Sequence, residues 1–327
     1  MSEFDVLKKK TLSIKDSDFD ELALSVFKYQ SKKCPVYKNF LEYLGVDILS
    51  VDSIEKIPFM PISLFKYNDI QSILTSPELF FLSSGTANDK RSKHLVFDLD
   101  FYHFNCKLQF EKRFGPLKDW LIIAILPSYI EQKDSSLISM VEYFISQTNN
   151  ASSGFYTQEE KDIENIIKCN TNKKVLIFGV TYALIEMAAA INLNYDNLYI
   201  METGGMKGRG KELIRRELHN KLKQSFKPND ILSEYGMTEL SSQAYSFENE
   251  IFHTGHLMKV FCRNIDDPLE LLGHGKTGAL NFIDLANIHT CCFIATDDLG
   301  KTINNTSFHV TGRLDQSDIR GCNLLSF

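Results

Sequence analysis

From about residue 79 the chain alternates short apolar runs with amphipathic stretches, and no other feature constrains its fold as much. Leu79 to Leu82 reads as a strand that runs into Ser83-Ser84-Gly85-Thr86. Leu121 to Leu126 reads as a buried strand stopped by Pro127. Lys174 to Gly179 reads as another, followed by a helix over Tyr182 to Ile191. Asn197 to Met201 is a further strand, leading through a glycine-rich loop to a charged helix, Lys211 to Phe226. Asp230 to Ser233 is a strand ending at Glu234-Tyr235-Gly236. Strands alternating with helices predict an α/β fold with parallel-rich sheets. In such sheets ligands sit beyond the carboxyl ends of the strands, which is where these polar loops fall.

The flanks read differently. Phe19 to Tyr29 and Val36 to Leu44 carry apolar residues at spacings of three and four, so residues 1–75 are expected to be mainly helical. Pro58 and Pro61 punctuate an extended entry, Ile57 to Phe65. Ile251 to Val260, Ala279 to Asp284 and Cys291 to Thr296 are strand-like with little helix between them. The expected organisation is a helical region over 1–75, a core over 76–312 with a β-rich part from about 245, and a tail over 313–327.

Several function classes are excluded at this level. Lys and Arg number 36 against 42 Asp and Glu, so there is no basic excess for nucleic-acid binding. A hydrophobic content of 43% excludes disorder. The apolar run Trp120 to Leu126 is far short of the roughly 20 residues of a membrane span. Met1 to Lys10 has no apolar signal core. Seven cysteines without a CxxC pair read as reduced thiols in a cytoplasm.

Three glycine-rich segments compete for a phosphate. Gly205-Met206-Lys207-Gly208-Arg209-Gly210-Lys211 follows a strand and opens a helix, as a Walker A loop does. Glu212 stands where that motif needs Ser or Thr, so a basic turn before the helix is the better reading. Gly273 to Gly278 matches GxGxxG by letter, but a strand follows it, and it reads as a turn. Ser83 to Lys93 combines small hydroxyl residues, Gly85 and three cations, which suits close backbone approach to an anion. Alone, it reads equally well as a solvated turn.

It does not stand alone. Leu82-Ser83-Ser84-Gly85-Thr86 resembles the phosphate loop of the adenylate-forming superfamily. Tyr235-Gly236-Met237-Thr238-Glu239 resembles its Tyr-Gly-x-Thr-Glu motif. Thr296-Asp297-Asp298-Leu299-Gly300 resembles its Thr-Gly-Asp-Leu motif, and Gly312-Arg313-Leu314-Asp315 its Gly-Arg-x-Asp hinge. The order of the four over residues 82–315 is more specific than any one. The string Glu234 to Leu240, Asp284 to Asn287 and Arg320-Gly321-Cys322 resemble the LuxE-type acyl-protein synthetases, relatives of the phenylacetate-CoA ligases.

The resemblance implies the large domain of an adenylate-forming enzyme, without the usual small C-terminal domain. It implies ATP-dependent activation of a carboxylic acid, a fatty acid in the first instance, and acyl transfer to a cysteine matching Cys322. An acyl-CoA or acyl-protein reductase is the expected partner, and the oligomeric state is not readable. Ser83, Ser84, Gly85 and Thr86 would hold phosphates, with Gly204, Gly205, Tyr235 and Gly236 at the adenine. Asp298 would hold the ribose, Arg313 would hold the ribose too or contact phosphate, Thr238 would lie near the α-phosphate, and Glu239 would hold Mg2+, a hard cation suited to oxygen ligands. The family's catalytic lysine lies in the small domain. Lys93 is taken as its replacement, with Lys90 and Lys207 left open. Acceptors other than Cys322, namely coenzyme A or a carrier protein, stay open, as does a non-catalytic nucleotide-binding scaffold.

Plainer readings accompany these residues. Glu239 would serve as a helix cap, Asp297 and Asp298 as a turn, Arg313 as a surface charge and Cys322 as an unremarkable thiol. Asp297 also replaces the motif's glycine, and Asn88 stands where the phosphate loop usually has a second glycine. Cys291 and Cys292 read as core packing. His253 and His256, with Glu250 nearby, form a weak candidate metal site.

Overall fold

A computed structural model describes residues 2–84, 90–127, 134–157, 162–204, 215–247 and 250–314. The chain begins with α1 (Glu3–Leu12), α2 (Phe19–Lys33), α3 (Pro35–Tyr43), β1 (Met60–Pro61), β2 (Leu79–Leu82) and β3 (Lys93–Val96). It continues through α4 (Leu99–Phe114), β4 (Trp120–Ile125), α5 (Ser136–Gln147), β5 (Gly154–Phe155) and α6 (Ile163–Lys168). Next come β6 (Lys174–Val180), α7 (Thr181–Ala190), β7 (Leu198–Thr203), α8 (Arg215–Phe226) and β8 (Asp230–Tyr235). The remainder is β9 (Ala244–Ser246), β10 (Phe252–Thr254), β11 (Met258–Arg263), β12 (Leu271–Leu272), β13 (Thr277–Asp284), β14 (Phe293–Asn304) and β15 (Ser307–Arg313).

These elements form two compact units. The described residues of Phe80–Thr86 and Asp98–Phe252 make one; those of Met1–Leu79, Ala87–Phe97 and His253–Phe327 make the other. The first unit is the α/β part. Its strands run in the order β9-β8-β7-β6-β4-β5, parallel except for β9. β4 is buried along its whole length and β6 after its first residue, as strands covered on both faces must be. Val180, Thr203 and Glu234 are register partners, so the carboxyl ends of β6, β7 and β8 lie level. Trp120 packs edge-on against Phe110 of α4 and Tyr199 of β7, which ties that helix to the sheet.

The second unit is the β-rich part together with the N-terminal helices. β11, β13, β14 and β15 form antiparallel ladders, with β12 on β11 and β1 parallel to β14. α1 opens with a capping box, in which Ser2 accepts from the Asp5 amide and Asp5 accepts from the Ser2 amide. α2 docks through one buried amide. Gln30 Nε2 donates to the carbonyls of Asn287 and Ile288, both at 3.2 Å, and its Oε1 accepts from the Cys292 amide at 2.9 Å.

Most expected strands are present, with shifted ends. Ile251 to Val260 is not one strand but two, β10 and β11, separated by a turn at Gly255. Gly273 to Lys276 form a turn with Gly275 at φ +83°, and Thr277 and Gly278 open β13. β14 runs well past Thr296 and pairs with β15, which the hydrophobic pattern did not announce. Among the described residues no helix is long and apolar enough to cross a membrane.

Candidate active site

In the α/β unit three connections leave the level carboxyl ends of β6, β7 and β8. β6 passes straight into α7, and Thr181 Oγ1, from that junction, donates to the Gly204 carbonyl at 2.8 Å. Gly204 follows β7 with φ +68°, a conformation that glycine adopts without a Cβ penalty. Tyr235 ends β8, its ring tilted 5.7 Å from Phe252. The chain then turns without forming a helix, closed by Leu240 N donating to the Met237 carbonyl at 3.1 Å. The helix-cap reading of Glu239 therefore falls away. Glu239 lies in this turn and is buried. Sequence-expected Gly204, Tyr235, Gly236, Thr238 and Glu239 thus share one end of one sheet.

The stretch after this motif is pinned by α4. Asn105 and Gln109, one turn apart on that helix, face residues 241–243. Asn105 Nδ2 donates to Ser241 O at 3.0 Å and Ser242 Oγ at 3.1 Å, and Gln109 Oε1 accepts from the Gln243 amide at 3.1 Å. Beside the motif, Glu234 is buried and accepts a hydrogen bond from Thr203 Oγ1. Burial pushes its carboxyl up to about 7, the Thr203 hydroxyl opposing and the charge of Glu202 adding to the rise. Ser83 and Ser84 follow β2, where Leu82 N donates to the Asp134 carbonyl at 2.8 Å. Gly85, Thr86, Gly205 and Lys207 lie outside the described residues.

The second unit brings together the expected ribose pair. Asp298 and Arg313 are register partners on β14 and β15, with Nε 3.9 Å from the Asp298 carboxylate. Asp297 and Asp298 thus belong to a long strand rather than to a turn. Leu314 N donates to the Asp297 carbonyl at 2.7 Å, which fixes the exit of β15. Beneath them lies a residue that the motif did not include. Arg263, at the end of β11, is 8% exposed. Its Nη1 donates to Asn281 Oδ1 at 2.6 Å and to the Leu280 carbonyl at 3.2 Å, and its Nη2 to the Thr296 carbonyl at 2.6 Å. Thr296 Oγ1 donates to Leu280 O at 2.8 Å and accepts from the Asp298 amide at 3.2 Å. One buried guanidinium therefore supports the backbone that presents Asp298. Burial lowers its pKa, with Asp297 acting in the opposite sense.

In the same unit Lys93 opens β3, and its ammonium pairs with the Asp69 carboxylate. Lys90 lies over the Tyr67 ring at 4.9 Å. His253 Nδ1 is 3.0 Å from Ser307 Oγ, and the described residues hold no group of three His, Cys, Asp or Glu side chains placed for a metal ion.

The thiols divide sharply. Cys34, Cys106, Cys262, Cys291 and Cys292 are buried, and Cys169 is exposed. Burial pushes Cys34 up to about 11 and holds Cys291 and Cys292 well above the ordinary thiol range. A buried thiol held protonated is a poor nucleophile. Cys322 lies outside the described residues.

The motif reading gave no role to Arg263, Thr203 or Glu234, although Glu234 opens the string Glu234 to Leu240. What singles out Arg263 and Glu234 is the burial of an ionisable side chain, which only the structure shows.

Two relatives match most of the chain at low identity. The long-chain-fatty-acid–luciferin-component ligase of Vibrio harveyi is 25% identical, covering 93% of this chain and 85% of the relative. Its counterpart from Aliivibrio fischeri is 24% identical, covering 93% and 86%. The fold is similar to that of 2-hydroxyisobutyryl-CoA ligase in its postadenylation state, with TM-score 0.65, 11% identity, and coverage of 91% of this chain and 68% of that one. It is also similar to ATP-bound MatB from Rhodopseudomonas palustris, with TM-score 0.53, 14% identity and coverage of 74% of this chain; about half of MatB's length is matched. A family model described as acyl-protein synthetase, LuxE, matches residues 127–326, more than half of the sequence. The chain belongs to the LuxE acyl-protein synthetase family.

Proposed function

We propose that the protein activates a long-chain fatty acid with ATP and then carries the acyl group as a thioester on Cys322. The observation that supports this most is the gathering of Gly204 and Tyr235–Glu239 at the level ends of β7 and β8 in a chain of this family. In the first step a carboxylate oxygen attacks the α-phosphorus and pyrophosphate leaves. In the second a thiolate sulfur attacks the acyl carbon, and AMP leaves with the bonding electron pair.

The residues divide this work. Ser83, Ser84, Gly85 and Thr86 take the outer phosphates, and Lys93 is the cation assigned to the phosphoryl transition state, released from Asp69. Gly204, Gly205, Tyr235 and Gly236 form the adenine wall, and Asp298 with Arg313 takes the ribose. Thr238 lies against the α-phosphate. Glu239 fits Mg2+, since a hard cation is commonly held by one or two carboxylates together with substrate phosphates. Bound there, the ion would neutralise phosphate charge.

Cys322 is the thiol of choice because five of the other six are buried. A stretch of nine residues, the separation of Cys322 from Arg313, would span at most about 30 Å if extended, at 3.3–3.6 Å per residue, and Arg320, two positions before Cys322 in the sequence, is a cation of the kind that favours a thiolate when near it. A reductase that accepts acyl groups is the partner such a thioester requires. A second reading passes the acyl group to coenzyme A, and the likeness in fold to an acyl-CoA ligase favours it.

Radiolabelled fatty acid with ATP is expected to label the protein covalently. Cys322→Ser should abolish the label while ATP–pyrophosphate exchange continues, and Cys169→Ser should keep it. Labelling that survives in Cys322→Ser would overturn the acceptor assignment. Acyl-CoA formation by the purified chain without covalent labelling would favour the second reading.

A further inference from the structure

Glu234 is a buried carboxyl that none of the steps above uses, and its surroundings give it a role. It is the penultimate residue of β8 and the register partner of Thr203, the last residue of β7. One carboxyl oxygen accepts from the Thr203 hydroxyl. The other lies over the next loop: a Cβ on Gly236 would stand 2.5 Å from it. Gly236 does not have a positive φ, so it is this carboxyl, rather than the backbone angle, that requires glycine there.

We infer that Glu234 is a positioning residue whose carboxyl ties the end of β7 to the Tyr235–Glu239 loop, and whose ionisation sets how firmly that loop holds a nucleotide. The inference rests on the adenylation reading of the site.

The groups facing the carboxyl come from three elements. β7 supplies Thr203 and the like charge of Glu202. β9 supplies Tyr245, the antiparallel register partner of Glu234. α4 supplies Tyr102, which also faces Cys106 and Tyr245. Both tyrosines are buried and held protonated. Among the described residues, Asn105 Oδ1, Gln109 Nε2, Gln243 Oε1 and Tyr245 Oη, around this helix and strand, have no hydrogen-bond partner. The surroundings are thus polar but contain no fixed cation among the named groups, so the carboxyl takes or loses a proton at modest cost near neutrality. An anion formed beneath a loop that receives a triphosphate opposes it. At an effective dielectric near 20, a unit charge at about 10 Å changes such an equilibrium by roughly tenfold.

ATP titrated into the full chain, at about pH 6 and about pH 8, tests this by placing the two pH values on either side of the carboxyl's titration. Wild type is expected to lose about tenfold more affinity than Glu234→Gln over that interval, the titration of the nucleotide being common to both. Thr203→Val removes a donor that favours the anion, so its loss of affinity should move to higher pH. Gly236→Ala should weaken binding at both pH values, and Glu234→Ala in the same chain should restore part of the loss. Parallel pH profiles for wild type and Glu234→Gln, with ATP bound, would overturn the inference alone. Unrelieved weakening in the double variant would do the same. A chain that binds no ATP would overturn the adenylation reading and the inference together.

Discussion

Each unit has a buried ionisable side chain next to a motif proposed to hold the nucleotide, Arg263 in one and Glu234 in the other, and the two are handled in opposite ways. Arg263 is satisfied: three acceptors receive its guanidinium, and one of them is the Thr296 carbonyl in the motif itself. Glu234 has one hydroxyl donor and a like-charged neighbour, in a region where several polar atoms lack partners. Arg263 therefore acts as a rigid strut, because a guanidinium stays charged at any working pH. Glu234 acts as a responsive one. The comparison teaches that the same burial yields a fixed platform or a titratable one, depending on how completely the charge is met.

The largest effect is expected on the strut. Arg263→Met takes the guanidinium from the Thr296 carbonyl and Asn281 Oδ1, while the Leu280 carbonyl keeps the Thr296 hydroxyl, and should cost about 3–5 kcal/mol of stability in denaturant unfolding. Arg263→Lys keeps the charge but not the fork, and should lose less. A loss below about 1 kcal/mol for Arg263→Met would remove the contrast with Glu234.

The second effect is on pH dependence. The folded carboxyl of Glu234 titrates near 7, above its ordinary value of 4.5. The folded state thus binds this proton more tightly than the unfolded chain does. Stability then falls as pH rises from about 4.5 through about 7, and the contribution levels off beyond. Relative to Glu234→Gln, wild type should lose about 3 kcal/mol across that window in urea unfolding at stepped pH. Equal slopes for the two proteins would contradict the assignment.

Thr181→Val comes third. It removes the donor to the Gly204 carbonyl and should cost about 1 kcal/mol, with a raised KM for ATP. The smallest stability effect belongs to Asp298→Asn. Its partner Arg313 is 70% exposed, and exposed ion pairs contribute between about 0 and 1 kcal/mol. ATP affinity should fall in that variant even though unfolding barely changes, and this dissociation marks a binding residue rather than a structural one.

The parallel strands were legible because burial on both faces leaves continuous apolar runs, as in Leu121 to Leu126 and Lys174 to Gly179. The loops at their carboxyl ends were legible because motif residues cluster there. β15 was not, because Ser307–Arg313 alternates weakly and takes its strand form from pairing with β14. β10 and β11 merged in the sequence because the turn at Gly255 interrupts an otherwise strand-like run. Arg263 and Glu234 escaped for a different reason. Each acts through a partner distant along the chain, Thr296 in one case and Thr203 in the other, and local spacing carries no trace of such pairing.

The account's central claim is acyl transfer to one thiol after adenylation, and peptide mass spectrometry tests it most directly. The full chain is incubated with ATP, magnesium and a mixture of carboxylic acids, then digested without reducing agent. The account predicts a fatty-acyl mass on the peptide containing Cys322 and on no other cysteine peptide, dependent on ATP. An acyl mass on Cys169 instead, or unmodified Cys322 while ATP–pyrophosphate exchange proceeds, would contradict it.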